Sequence, residues 1–173
     1  MEFNLAESFG ALALLIHFVG YRQNQVNRYR LISALGLLSL STHFFLLGAM
    51  AAGIGCGLAA LRNLIALRHR SMLLVIFFVV LHMLFFAYEW WWLNHGAEII
   101  LAYISAIIFT LGSILLQRTH SIRKWFILAE GLGLAYAVIV GSVFGSLFNI
   151  SNLLSIAIKL YQDRVHRKHQ TPV

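Results

Sequence analysis

Charge is scarce in this chain. Only 11% of its 173 residues are Asp, Glu, Lys or Arg, where a soluble domain carries about 25%. Acidic residues are rarest: 6, against 13 Lys and Arg. Proline is almost absent, and Pro172 lies in the tail, so no helix can be kinked by a proline ring. The one cysteine, Cys56, excludes an internal disulfide. No basic n-region opens the chain, because Glu2 and Glu7 stand where a signal peptide would place lysine or arginine. There is no nucleophile–base motif, no phosphate loop and no nucleic-acid module, so neither catalysis nor nucleic-acid binding is expected, and no cofactor.

Apolar residues are abundant. They make up 60% of the sequence, with a mean hydropathy of +0.81. Uncharged runs cover 31–61, 71–88, 99–117 and 131–158. Runs of about 18 or more apolar residues mark membrane-spanning helices. An all-α integral membrane protein is expected, with seven transmembrane helices near 3–21, 28–47, 53–67, 71–92, 98–116, 122–140 and 142–161. The third is expected to follow a small-residue turn at 48–53.

The basic residues divide by position. Arg22, Arg28 and Arg30 fall between helices 1 and 2, and Arg68 and Arg70 between 3 and 4. Arg118, Arg123 and Lys124 fall between 5 and 6; Lys159, Arg164, Arg167 and Lys168 close the chain. These are alternate connections, so all lie on one side. The other side holds Glu2, Glu7, Glu89 and Glu98. The positive-inside rule makes the basic side cytoplasmic, with the amino terminus periplasmic. Membrane loops collect positive charge by default, which explains the net +7 without nucleic acid. The basic face is instead suited to anionic lipid. Tyr88 and Trp90–Trp92 mark the outer interface, and Trp125 the inner one.

The connections repeat. A tight uncharged turn, "LLGAMAAG", joins helices 2 and 3; another, "IVGSVFGS", joins 6 and 7. Gly48 and Gly141 lie 93 positions apart, and at that offset 22–30 overlies 115–123. Helices 1–3 thus recur as 5–7, and helix 4 lets the second triplet enter with the orientation of the first. This divides the chain into a first triple-helix bundle at 1–70, a linker helix at 71–95, and a second bundle with a basic tail at 96–173.

A 3+1+3 parallel repeat with an outside amino terminus is similar to the SWEET architecture, whose substrate site lies between the repeats. Over most of its length the chain resembles the YgjV family of bacterial inner-membrane proteins, within the PQ-loop and SWEET-like group. The resemblance rests on "FVGYRQNQVNRYRLI", "HFFLLGAMAAGIGCGLAALRNLIAL" and "VFGSLFNISNLLSIAIKLYQDR". The wider group moves sugars, amino acids or related small solutes. The chain departs from it in lacking the Pro-Gln pair: the equivalent regions carry Gln23 and Gln25, and Leu116 and Gln117.

Charges inside the membrane are costly and are functional candidates by default. Arg62 lies six residues before Arg68, and Glu130 six after Lys124. Both are therefore about 9 Å inside the basic interface, at roughly 1.5 Å per residue. Equal depth makes an Arg62–Glu130 ion pair the candidate lock or gate between the repeats. Two plainer readings compete: Arg62 snorkels to the interface, and Glu130 is held protonated by burial. The SWEET resemblance implies substrate-binding asparagines on the third helix of each repeat. Asn149 and Asn152, at i and i+3, fit on helix 7, with Ser155 near and Asn63 on helix 3. The plain alternative is interhelical hydrogen bonding.

Gly53 and Gly57, and Gly141 and Gly145, form small-xxx-small faces suited to close packing. The histidines differ in depth, which argues against a metal site. Two function classes remain open: a transporter of a small polar solute with a midplane site, and a non-transporting scaffold or accessory protein binding lipid or a partner.

Overall fold

A computed structural model describes residues 5–46, 50–93, 96–139 and 143–169. All its described regular elements are helices, seven in number: α1 (Leu5–Tyr21), α2 (Val26–Leu46), α3 (Met50–Ile65), α4 (Met72–Trp91), α5 (Ile99–Leu115), α6 (Thr119–Ile139) and α7 (Val143–His169). Six lie close to their expected bounds. The seventh continues eight residues beyond 161 into the basic tail. No Gly or Pro stops it there, and Lys159 pairs with Asp163 one turn on at 3.7 Å. Helix α3 begins at Met50, so Gly53 is helical and not part of a turn. Gly48, Gly141 and Pro172 lie outside the described residues.

Consecutive helices pack as α1 on α2 on α3, and as α5 on α6 on α7. The two sets meet where α1 touches α7 and where α3 touches α5; α4 lies against α5. Small residues permit the close approaches. A Cβ on Gly36 of α2 would stand 2.2 Å from His17 Cδ2 of α1. On α3, a Cβ at Gly53 would meet the Phe45 ring at 2.9 Å, and one at Gly57 would meet Ser41 Oγ at 3.4 Å. Ser41 Oγ closes that seam by donating to Gly53 O at 2.6 Å.

The distribution of polarity is inverted relative to a soluble protein. Buried side chains include Arg30, Arg62, Arg123, Glu130, Asn63 and Asn152. Exposed ones include Leu73 and Trp92, both 76% accessible, and Trp91, Phe77 and Ile76. Soluble folds almost never bury Arg or Glu wholly while leaving such a surface outside; a lipid-facing surface accounts for it. Helices α2 and α4 have by themselves the length and apolarity to cross a bilayer, with mean hydropathies of 1.2 and 2.3. Helix α4 turns most of its surface outward.

One end of the bundle gathers the basic segments. Arg70 Nη2 donates to Asn27 Oδ1. Thr119 Oγ1 donates to Asn24 O at 3.2 Å, and Arg123 Nη1 to Asp163 Oδ2 at 3.0 Å. These bonds draw the α1–α2, α3–α4 and α5–α6 connections and the far part of α7 together. We call this the basic end.

Candidate functional site

Glu130 is the centre of the buried polar region. Its helix, α6, buries Arg123, Phe126 and Glu130, which recur at i, i+3 and i+7 and so share one stripe. That stripe faces the bundle, and the Glu130 side chain is buried. A carboxyl group taken out of water requires compensating donors. Two are present. The Tyr21 hydroxyl, at the last residue of α1, donates to Glu130 Oε1. Asn152 Nδ2, from α7, donates to the same oxygen at 3.0 Å. One carboxyl oxygen therefore joins three helices.

Aromatic rings wall this centre toward the basic end. Tyr21 lies 5.5 Å from Tyr29 and 6.3 Å from Phe126, centroid to centroid. Phe109 packs edge-on against Phe126 at 4.6 Å. Just beyond, a cleft is lined by Tyr21, Gln23, Tyr29, Thr119, Ile122 and Arg123. Tyr21 belongs to both: it lines the cleft, and its hydroxyl reaches the carboxyl.

Arg62 does not pair with Glu130. Arg62 is buried, which removes the snorkelling alternative, but its Nη1 donates to Thr110 Oγ1 of α5 at 2.7 Å. Thr110 passes the bond on to Ala106 O at 2.8 Å. Counting turns from Arg68 and Lys124 predicts one depth for both charges. Their helices, however, are separated, because α3 packs on α2 and α5 while α6 packs on α5 and α7. Depth fixes a level in the bundle and leaves the azimuth free.

The four candidate solute-binding residues also part company. Asn152 is fully buried and committed to Glu130. Ser155, one turn on, donates to Phe18 O of α1 at 2.9 Å. Asn149 donates to Gly145 O of its own helix at 2.7 Å, and its Oδ1 lies over Gly133, 2.6 Å from where a Cβ would be. Asn149 and Asn152 thus form two rungs against Gly133 and Glu130 of α6. Asn63 stands apart and donates to Ser33 Oγ of α2 at 3.3 Å. Asn152 and Ser155 sit around the α1–α6–α7 junction; Asn63 belongs to the α2–α3 seam.

Two arginines counted as connection charges are structural. Arg30 is wholly buried. Its Nε donates to Ser113 O at 2.7 Å, and its Nη2 to Ser113 O and, at 3.2 Å, to Leu116 O. Arg123 is also buried, with Nε to Tyr21 O at 3.1 Å and Nη2 to Gln23 O. Each guanidinium satisfies carbonyls left over at a helix C-terminus, where positive charge is favoured. Arg30 and Arg123 are 93 positions apart, and so are their acceptors Gln23 and Leu116. That offset was legible, but the burial was not, since basic residues beside a connection read as exposed. Tyr21 and Thr110 had no signal in the sequence beyond their helix positions.

Among the described residues, no group of three or more His, Cys, Asp or Glu is placed to hold a metal.

A helical bundle with an apolar exterior and a buried acid–amide–tyrosine centre is that of an integral membrane protein. The chain belongs to the Imp-YgjV family of bacterial inner membrane proteins, whose family model matches residues 4–167. No curated protein and no solved structure matches it.

Proposed function

We propose that this protein is a multi-pass transporter of a small polar solute, without enzymatic chemistry. The observation that carries the reading is the centre at Glu130, joined by Tyr21 of α1 and Asn152 of α7. Polar groups buried this deeply in a membrane bundle mark substrate or ion pathways. In this reading seven helices cross the membrane as 3+1+3, with the basic end cytoplasmic and the amino terminus periplasmic. The reciprocal Arg30 and Arg123 contacts support two related halves, as do the α1–α7 and α3–α5 meetings. The solute site lies between the halves, near Asn149, Asn152 and Ser155, with Asn63, Arg62 and Glu130 holding the surrounding helices in place.

Purified protein in liposomes tests this with panels of radiolabelled monosaccharides, disaccharides and amino acids. Saturable uptake that is lost in Asn152→Ala supports it. A folded protein that takes up no panel member, and is thermally stabilised by none, overturns it. The second reading is a scaffold docked on anionic lipid. It is favoured by the collection of four basic segments at one end, and flotation with phosphatidylglycerol vesicles distinguishes it.

A further inference from the structure

A carboxylic acid and a primary amide are complementary in two directions. The amide N–H donates to the acid carbonyl, and the acid O–H donates to the amide oxygen. Between Glu130 and Asn152 the first bond is present, Nδ2 to Oε1 at 3.0 Å. The two atoms of the second, Glu130 Oε2 and Asn152 Oδ1, are both buried and have no hydrogen-bond partner. Both are acceptors as long as the carboxyl is ionised, and leaving buried acceptors unsatisfied is costly. One proton on Oε2 changes that oxygen into a donor and satisfies both atoms together.

We propose that Glu130 and Asn152 form a proton-binding site, whose loaded state is a neutral carboxyl paired in both directions with the carboxamide.

The surroundings agree. Among the described residues no Lys, Arg or His nitrogen lies within ion-pair distance of Glu130. Helix α1 presents Tyr21, with His17 one turn further from the basic end and 6.3 Å from the Tyr21 ring. Helix α2 presents Tyr29 behind Tyr21. On α3, Arg62 is engaged with Thr110. On α7, Lys159 is paired with Asp163, as is Arg123 of α6 itself. No charge therefore stands ready to neutralise the carboxylate, and a proton does so instead. The cleft at the basic end is lined by Tyr21, whose hydroxyl donates to Oε1 of the same carboxyl. A hydronium ion that reaches the site from the cleft gives its proton to Oε2 and is left as water.

Loss of that proton leaves Glu130 Oε2 and Asn152 Oδ1 as two unsatisfied acceptors and weakens the α6–α7 seam. The protonation state thereby controls how α7 is held. Its use as a coupling proton rests on the transport reading above; the binding of the proton does not.

Infrared difference spectroscopy of the full-length protein in lipid tests the site. At neutral pH the wild type is expected to show the carbonyl stretch of a protonated, hydrogen-bonded carboxyl, shifted in D2O and absent from Glu130→Gln. A wild type without that band at neutral pH overturns the proposal, as does a band that survives in Glu130→Gln. So does a band displaced by NaCl at constant pH, which would assign the paired oxygens to a sodium ion. If Glu130→Gln does not fold, Asn152→Ala retains the carboxyl. Its band is expected to move to higher frequency as the amide bond is lost, and an unmoved band overturns the proposal. Uptake without the band refutes the site alone, and the band without uptake refutes the transport reading alone.

Discussion

Arg30 of α2 and Arg123 of α6 do the same work in opposite directions. Arg30 reaches out of the first three helices to the C-terminus of α5, and Arg123 reaches out of the last three to the C-terminus of α1. The first three helices and the last three are clasped twice, by a pair of residues 93 positions apart. Because each guanidinium is buried and donates to carbonyls across the contact, these bonds fix the register between the two sets of helices. The helices that carry Tyr21 and Glu130 are among those they fix.

Removing either clasp should destabilise the bundle. Arg30→Ala leaves Ser113 O and Leu116 O without this donor, and an unsatisfied buried acceptor costs about 1–3 kcal/mol. Arg30→Lys should recover only part of this, because an ammonium lacks the planar fork that spans both carbonyls. Denaturant titration in micelles measures the loss. A wild-type midpoint for Arg30→Ala would remove the clasp from the account.

Gly36 is held as glycine by His17. A methyl group there would stand 2.2 Å from the imidazole, inside any van der Waals contact. Gly36→Ala should therefore cost about 1–3 kcal/mol, as overpacking does. Combining it with His17→Ala should restore part of the loss, since the obstructing ring is gone. Additive destabilisation in the double variant would show that the overlap is relieved in some other way.

These two contacts show where sequence reading reached and where it stopped. Helix number and most bounds were legible because uncharged runs and clustered arginines punctuate the chain; the end of α7 was not. That Arg62 and Glu130 lie inside the bundle was legible from counting turns, and both are buried. Which helix faces which was not, because the rotation of an apolar helix leaves little trace when nearly every position is apolar. That is why Arg62 was matched with Glu130 when its partner is Thr110. The burial of Arg30 escaped for the opposite reason. It lies among exposed arginines, and only its bonds to α5 separate it from them.

Arg62 and Glu130 should not rescue each other. The swapped pair Arg62→Glu with Glu130→Arg is expected to be no more stable than the worse single variant, because Arg62 bonds to Thr110 while Glu130 is bonded by Tyr21 and Asn152. Thr110→Val, in contrast, removes the hydroxyl that accepts from Arg62. It should cost about 1.5–3 kcal/mol, the range for a hydrogen bond to a charged group. Folded yield and thermal midpoint in detergent report both. A swap that restores wild-type stability would mean that the charges meet in a state other than this one.

Asn149 and Asn152 sit one turn apart on α7, yet should respond differently. Asn152 is buried and supplies a donor to the Glu130 carboxyl. Asn152→Ala should lower stability by about 1–3 kcal/mol. Asn149 is only partly buried and donates to its own helix. Asn149→Ala should cost about 0.6 kcal/mol, the average for a polar contact within a membrane bundle. This difference separates structure from function at the two positions. If Asn149 contacts the solute, uptake in liposomes should fall in Asn149→Ala while the melting temperature stays near that of the wild type. An Asn149→Ala protein that melts as early as Asn152→Ala, with uptake falling only in proportion to folded protein, would make Asn149 packing alone.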